Sequence, residues 1–165
     1  MRERTRASTT FICFGASRAR LSAWLSRATT VTLNRRHAMR ARDDPNVATC
    51  HCGTIQIRVR QLPRTLTSCN CSICRRYGAL WGYYAASSVQ IDAPKGSLAT
   101  YSFNRRARVY HRCKTCGCVT HYTYRQKRAR EPIAVNGSNF EPSVIAAARV
   151  RRFDGAVSGR YVDSP

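Results

Sequence analysis

Eight of the nine cysteines fall into three short clusters: Cys50 and Cys52 (CHC), Cys69, Cys71 and Cys74 (CNCSIC), and Cys113, Cys116 and Cys118 (CKTCGC). Thiolates two or three residues apart can turn their sulfurs toward one ion, and four sulfurs at about 2.3 Å satisfy a tetrahedral Zn²⁺. A disulfide framework would instead spread its cysteines to staple loops, usually in a short secreted chain with an even count. This chain has 165 residues and an odd count, so the clusters point to metal. An iron–sulfur cluster fits less well, because its cysteines usually form one run plus a remote ligand. The length gives room for one domain with a modest core, which thiolate–metal bonds would reinforce.

Spacing alone permits several pairings of the three clusters. Cys113-Lys-Thr-Cys116-Gly117 is a CxxCG knuckle, in which glycine lets the backbone turn so that amide N–H groups face the sulfurs. The other two ligands of a closed, structural site come most naturally from Cys50 and Cys52, which would tie the start of the first strand to a late hairpin. That leaves Cys69, Cys71 and Cys74 as a three-thiolate set from one loop. Three protein ligands with an open fourth position describe a reactive zinc, so two zinc ions are expected. Cys118 reads as a small buried apolar residue at the start of a strand.

From Cys50 onward the pattern is one of short strands. Thr54 to Arg60 alternates strictly, with Ile55, Ile57 and Val59 on one face and Gln56, Arg58 and Arg60 on the other. Strands are also predicted over 80–85, 88–92 and 98–103, with turn chemistry at Ala93-Pro94-Lys95-Gly96. Residues 108–113 and 119–124 read as a hairpin around the last cluster, 133–135 and 148–153 as closing strands, and 141–147 as a helix. The fold class expected is mainly β, with antiparallel sheets whose loops carry the metal ligands.

The net charge of +21 is carried almost wholly by arginine, with Lys95, Lys114 and Lys127 the only lysines among 29 basic residues. No block of five or six like charges occurs, which is the pattern of a solvated surface; a nucleic-acid partner is the alternative. Residues 1–38 hold eight arginines against Glu3, so the remaining 21 basic and 7 acidic residues still give +14. An Arg- and Ser-rich extension is read over 1–45: a disordered tail, an organellar transit segment, or an upstream stretch preceding a true start at Met39. Residues 46–158 form the zinc-binding domain and 159–165 a C-terminal tail. No apolar stretch is long enough to span a bilayer. Clustered thiols suit a reducing compartment, the cytoplasm, with organellar import if 1–38 is genuine.

The segments CHCG, SCNCSICRRYGALWGYY, YHRCKTCGCVTHY, AVN and AARVRRFDGA, over about residues 48–157, resemble the glutathione-dependent formaldehyde-activating enzyme family, which also includes centromere protein V. The resemblance implies the Mss4-like fold of antiparallel sheets, or β-tent. It also implies a structural zinc on Cys50, Cys52, Cys113 and Cys116 and a catalytic zinc on Cys69, Cys71 and Cys74. The activity implied is that of a carbon–sulfur lyase acting on S-(hydroxymethyl)glutathione. Where many relatives carry Trp after the His of CVTHY, this chain has Tyr122.

Glutathione brings two carboxylates, and Arg75 and Arg76, next to Cys74, are the expected electrostatic partners. Tyr77, Trp81, Tyr83 and Tyr84 are expected mostly in sheet packing, with a pocket wall as the alternative. His111 and His121 lie in strands and are expected to pack or to hydrogen-bond behind the ligands, while His51 points away from its neighbours' metal. No Ser-His-Asp constellation or Gly-rich phosphate loop is found, which removes support for a hydrolase or a nucleotide enzyme. The alternative from another class is a zinc-stabilised basic module, with exposed Tyr83 or Tyr84 stacking on unpaired bases.

Overall fold

The computed structural model describes residues 44–103, 107–125 and 131–163. The extension expected over 1–45 and the start at Met39 lie, up to residue 43, outside the described residues. In chain order the elements are β1 (Val47–Thr49), β2 (Gln56–Val59), β3 (Thr65–Cys69), a one-turn helix α1 (Cys74–Tyr77), β4 (Leu80–Tyr84), β5 (Val89–Asp92) and β6 (Leu98–Tyr101). They continue with β7 (Arg108–Cys113), β8 (Val119–Tyr124), β9 (Ile133–Asn136), helix α2 (Pro142–Ala147), β10 (Arg149–Asp154) and β11 (Arg160–Tyr161). Among the described residues no helix is long and apolar enough to cross a membrane.

Alternation in β2 has the predicted effect: Ile55, Ile57 and Val59 are buried while Arg58 and Arg60 are exposed. Each such side chain contributes about 1.5–3 kcal/mol by leaving water. Regular pairing begins only at Gln56, because residues 50–54 form a turn around Gly53 (φ 75°), closed by Gly53 N–H donating to the Cys50 carbonyl at 2.8 Å. β2 lies between β1 and β5 in a three-stranded antiparallel sheet. The other strands form a sheet ordered β11-β10-β3-β4-β9-β8-β7-β6. Its pairs are antiparallel with one exception, the parallel pairing of β10 with β3, in which Arg149 faces Thr65 and Phe153 faces Cys69. The fold is therefore mainly β as expected, but its larger sheet is mixed, and β11 draws Arg160 and Tyr161 of the expected C-terminal tail into that sheet by antiparallel pairing with β10.

The pleat of the large sheet separates two cores. Val135 joins Ile55, Ile57, Val59, Phe140 and Val144 between the small sheet, α2 and one face of the large sheet. Its neighbour Ala134 points the opposite way and joins Trp81, Tyr110, Tyr122 and Ile73, as period-two alternation requires. The α2 helix starts where Pro142 occupies its first turn, and Val144 and Ile145 donate to the Glu141 carbonyl. The β7–β8 hairpin has the predicted bounds, with a bulge between His111 and Arg112 before the knuckle.

Candidate metal centres

The first centre is built where the β1–β2 turn meets the β7–β8 hairpin. The sulfurs of Cys50, Cys52, Cys113 and Cys116 all lie within 4.8 Å of one another. The Cys50–Cys52 and Cys52–Cys113 pairs are 3.5 and 3.6 Å apart. Four sulfurs on a tetrahedral ion at about 2.3 Å would be about 3.8 Å apart, so the set has the size of a thiolate metal site. Cys50 and Cys113 are fully buried. Gly117 (φ 77°) turns the knuckle, its N–H donating to the Cys113 carbonyl at 3.0 Å.

Electrostatics divides these thiols. Burial pushes Cys50 far above the ordinary thiol range, against the Ile55 amide, which donates to its sulfur at 3.3 Å. Burial also pushes Cys116 up, but the amides of Cys118 and Cys52 and then the Cys52 and Cys113 thiols outweigh it and bring it down to about 6. Thiols this close cannot all ionise unaided; a bound divalent cation reverses that balance and holds them as thiolates.

The second centre gathers Cys69, Cys71 and Cys74, again with sulfurs within 4.8 Å of one another. Only Cys71 of this set lies in a turn: Cys69 ends β3 and Cys74 opens α1, so the single loop expected from the sequence is a strand end, a turn and a helix start. β3 escapes prediction because its sequence, TLTSC, has a single aliphatic residue. Burial raises the Cys74 thiol to about 12, against a hydrogen bond from the Trp81 indole N–H at 3.2 Å. Burial likewise raises Cys71, but the Cys74 amide and the Cys69 and Cys74 thiols bring it below the ordinary value.

A strap from the far end of the chain closes over this cluster. Asn70 Nδ2 donates to Asp154 Oδ1 at 2.8 Å, and Asn70 Oδ1 accepts from the Ala156 N–H at 2.9 Å. The Asp154 carboxylate also accepts from the amides of Val157 and Ser158, and the Asn70 bond foremost, then Ser158, holds it down to about 2. Gly155 in this strap lies so close that a Cβ would stand 2.6 Å from the Cys69 sulfur and 3.2 Å from Cys71 Cβ. Asn70 and Gly155 lie within the segments SCNCSICRRYGALWGYY and AARVRRFDGA, but the sequence alone assigns neither a role. Their roles follow from the β10–β3 pairing, which no local pattern reveals.

Cys69 and Cys74 border a cavity of about 480 Å³, whose lining includes Arg75, Arg152, Phe153 and Asp154. The exposed Arg75 faces the site, while Arg76 donates from Nη1 to the Ser72 carbonyl at 2.6 Å, across the helix start. Arg152 is an addition that only the fold supplies. Trp81 is core, touching Tyr110 and Tyr122 at ring-centroid distances of 6.0 and 4.8 Å; Tyr77 packs on Tyr110, whereas Tyr83 remains 45% exposed. His111 and His121 stack face to face at 4.2 Å, remote in role from the sulfurs, with hydrogen bonds to Thr123 and Thr120. His51 is exposed, and its backbone amide faces the Cys118 sulfur. Cys118 is half-buried beside the first core rather than enclosed in it, and it lies outside both sulfur clusters.

A mainly β frame with a four-sulfur cluster anchored in its core by Cys50 and Cys113 and a three-sulfur cluster beside a cavity defines a class of protein able to hold two metal ions on cysteine. The sequence matches the model of a family described as glutathione-dependent formaldehyde-activating enzyme over residues 46–153, and the chain belongs to that family. A crystal structure of a Rhodobacter sphaeroides protein is similar to it at 30% identity and a TM-score of 0.51, covering 63% of this chain and 98% of that one.

Proposed function

We propose that the protein is a zinc-dependent carbon–sulfur lyase that makes and breaks the adduct of glutathione and formaldehyde, S-(hydroxymethyl)glutathione. The observation that carries this reading is the asymmetry of the two clusters. Four sulfurs would saturate one ion and keep it structural, while three sulfurs beside a cavity would leave a position for a ligand from outside. When bound at Cys69, Cys71 and Cys74, zinc supplies Lewis acidity or a seat for a thiolate. Clustered free thiols also favour a reducing compartment such as the cytoplasm.

The chemistry is an addition. The glutathione sulfur bonds to the aldehyde carbon, the C=O π pair moves to oxygen, and the thiol proton ends on the new hydroxyl; the lyase direction reverses each change. Arg75 and Arg152 place two guanidinium groups on the cavity beside Cys69 and Cys74, suited to the two carboxylates of glutathione. Arg76 adds positive charge one residue on, its guanidinium partly engaged by Ser72. Asn70 and Asp154 hold the strap that forms the cavity's rim.

The test is metal content together with turnover. Wild-type protein should carry two zinc ions and consume formaldehyde only with glutathione. Cys71→Ser should lose one ion and the activity while keeping a cooperative unfolding transition. Arg75→Ala should raise the KM for glutathione more than that for cysteamine, which lacks carboxylates. Full glutathione-dependent turnover in the Cys71 variant would refute the assignment.

A further inference from the structure

The three sulfurs of the second cluster are not equivalent. Cys69 and Cys71 are half-buried, whereas Cys74 is 5% exposed. Among the described residues, Cys74 is the one sulfur of the three that meets a side-chain N–H donor, the Trp81 indole at 3.2 Å, and Trp81 is itself 1% exposed. The Tyr110 ring lies 6.0 Å from Trp81, with its phenol close enough to the same sulfur for the two groups to interact electrostatically. Tyr122 closes the other flank at 4.8 Å from Trp81 and 5.3 Å from Tyr110. The local sequence explains why this arises: α1 and β4 are joined through Gly78 (φ 59°), and the tight return sets Trp81 beside the helix start.

We propose that Trp81 is a positioning and shielding residue, whose indole N–H holds the Cys74 sulfur as a metal ligand and keeps it from reacting with electrophiles that enter the cavity. An indole N–H can donate but not accept, so its single option at this depth is the sulfur's lone pair. A thiolate that donates electron density into a hydrogen bond attacks carbon more slowly, and charge-assisted bonds are the stronger class. The need for protection rests on the proposed function, because a site that handles formaldehyde exposes its own ligands to it. Unprotected, the Cys74 sulfur would bond to the aldehyde carbon, the C=O π pair would move to oxygen and take a proton from water, and the resulting S-hydroxymethyl cysteine would be a poor metal ligand. Backbone amides, which face Cys71, serve the other sulfurs less directly and leave them more open.

The experiment uses the full chain, loaded with metal, in three forms: wild type, Trp81→Phe, and protein carrying 3-benzothienylalanine at position 81. The last keeps the bicyclic ring and replaces N–H by sulfur, so it isolates the donor if the Phe variant folds poorly. Alkylation by iodoacetamide is followed peptide by peptide, and the cobalt-loaded forms are compared by absorption. Loss of the donor should speed Cys74 alkylation about ten-fold or more relative to Cys69 and Cys71. It should also move the thiolate-to-cobalt bands to lower energy and hasten metal release by formaldehyde. Unchanged Cys74 reactivity and unchanged cobalt bands in the benzothienyl protein would overturn the inference. Absence of glutathione–formaldehyde turnover in wild type, alongside the predicted alkylation pattern, would remove the functional reading and leave the role of Trp81 standing.

Discussion

Gly155→Ala provides a sharp perturbation of the second centre, because one methyl group is aimed at one sulfur. The added Cβ would stand 2.6 Å from the Cys69 sulfur, whereas ordinary van der Waals contact begins at 3.4 Å, so about 0.8 Å of movement is required. The next contacts, Cys71 Cβ at 3.2 Å and Phe153 Cδ1 at 3.4 Å, leave little room for the methyl to turn aside. Metal–sulfur distances tolerate only about 0.2 Å, several times less than the displacement. Either Cys69 leaves the ligand set or the strap lifts, breaking the Asn70 bonds to Asp154 and Ala156. Overpacking of this kind costs about 1–3 kcal/mol. Metal titration with a chromogenic chelator should show the second ion bound 10–100-fold more weakly, the range for disturbed outer support of a ligand, with the first ion unchanged. Gly159→Ala is the control: that glycine has φ 66° and open space around it, so alanine there costs backbone strain but touches no sulfur. Two ions bound with native affinity in the Gly155 variant would refute the reasoning, since the sulfur would then have yielded without cost to its metal.

Cys116→Ser should abolish cooperative folding rather than trim activity, because Cys116 shares its site with Cys50 and Cys113, both fully buried in the first core, and with Cys52 at its edge; a soluble variant with a sharp thermal transition and undiminished metal would contradict this. His121 supplies a pH dependence. Burial, foremost, and the His111 ring stacked on it hold its pKa down at about 3, against 6.5 when unfolded. The unfolded chain therefore binds the extra proton first: stability is complete above pH 6.5 and falls on acidification toward pH 3, by about 1.4 kcal/mol per pH unit. His121→Gln removes this component, so the gap between wild-type and variant unfolding free energies should shrink or reverse as pH drops from 7 to 4.5. Parallel curves in denaturant titrations would show that His121 does not titrate in the unfolded chain alone.

The three cysteine runs were legible because their information is local: CHC, CNCSIC and CKTCGC keep ligand spacing within a few residues, whereas the joining of CHC to CKTCGC spans 61 residues and spacing left it open. The same holds for β2 and the β7–β8 hairpin, where alternation or flanking turns mark the strands. β1 is three residues long and β3 carries Thr, Ser and Cys, so neither offers a periodic signal; each is a strand because of its partners. Arg152, Asn70 and Gly155 reach the second cluster only through the parallel β10–β3 pairing, a contact across more than 80 residues. Arg75 was readable from its place next to Cys74. The engagement of Arg76 by the Ser72 carbonyl was not, since it depends on which way a one-turn helix faces.

That same pairing sets an order of events during synthesis. Thr65 must wait for Arg149, 84 residues later, which at about 5–20 residues per second is roughly 4–17 s on the ribosome. Late in that interval Cys69, Cys71 and Cys74 have emerged while the strap that covers them has not been made. Cys50 and Cys52 likewise wait for Cys113, 61 residues on from Cys52, before their site can close. The nascent chain is thus a string of open thiols competing for metal, oxidants and aldehydes. Its yield of native protein should follow the supply of metal and reductant at the moment of translation more closely than the stability of the finished fold.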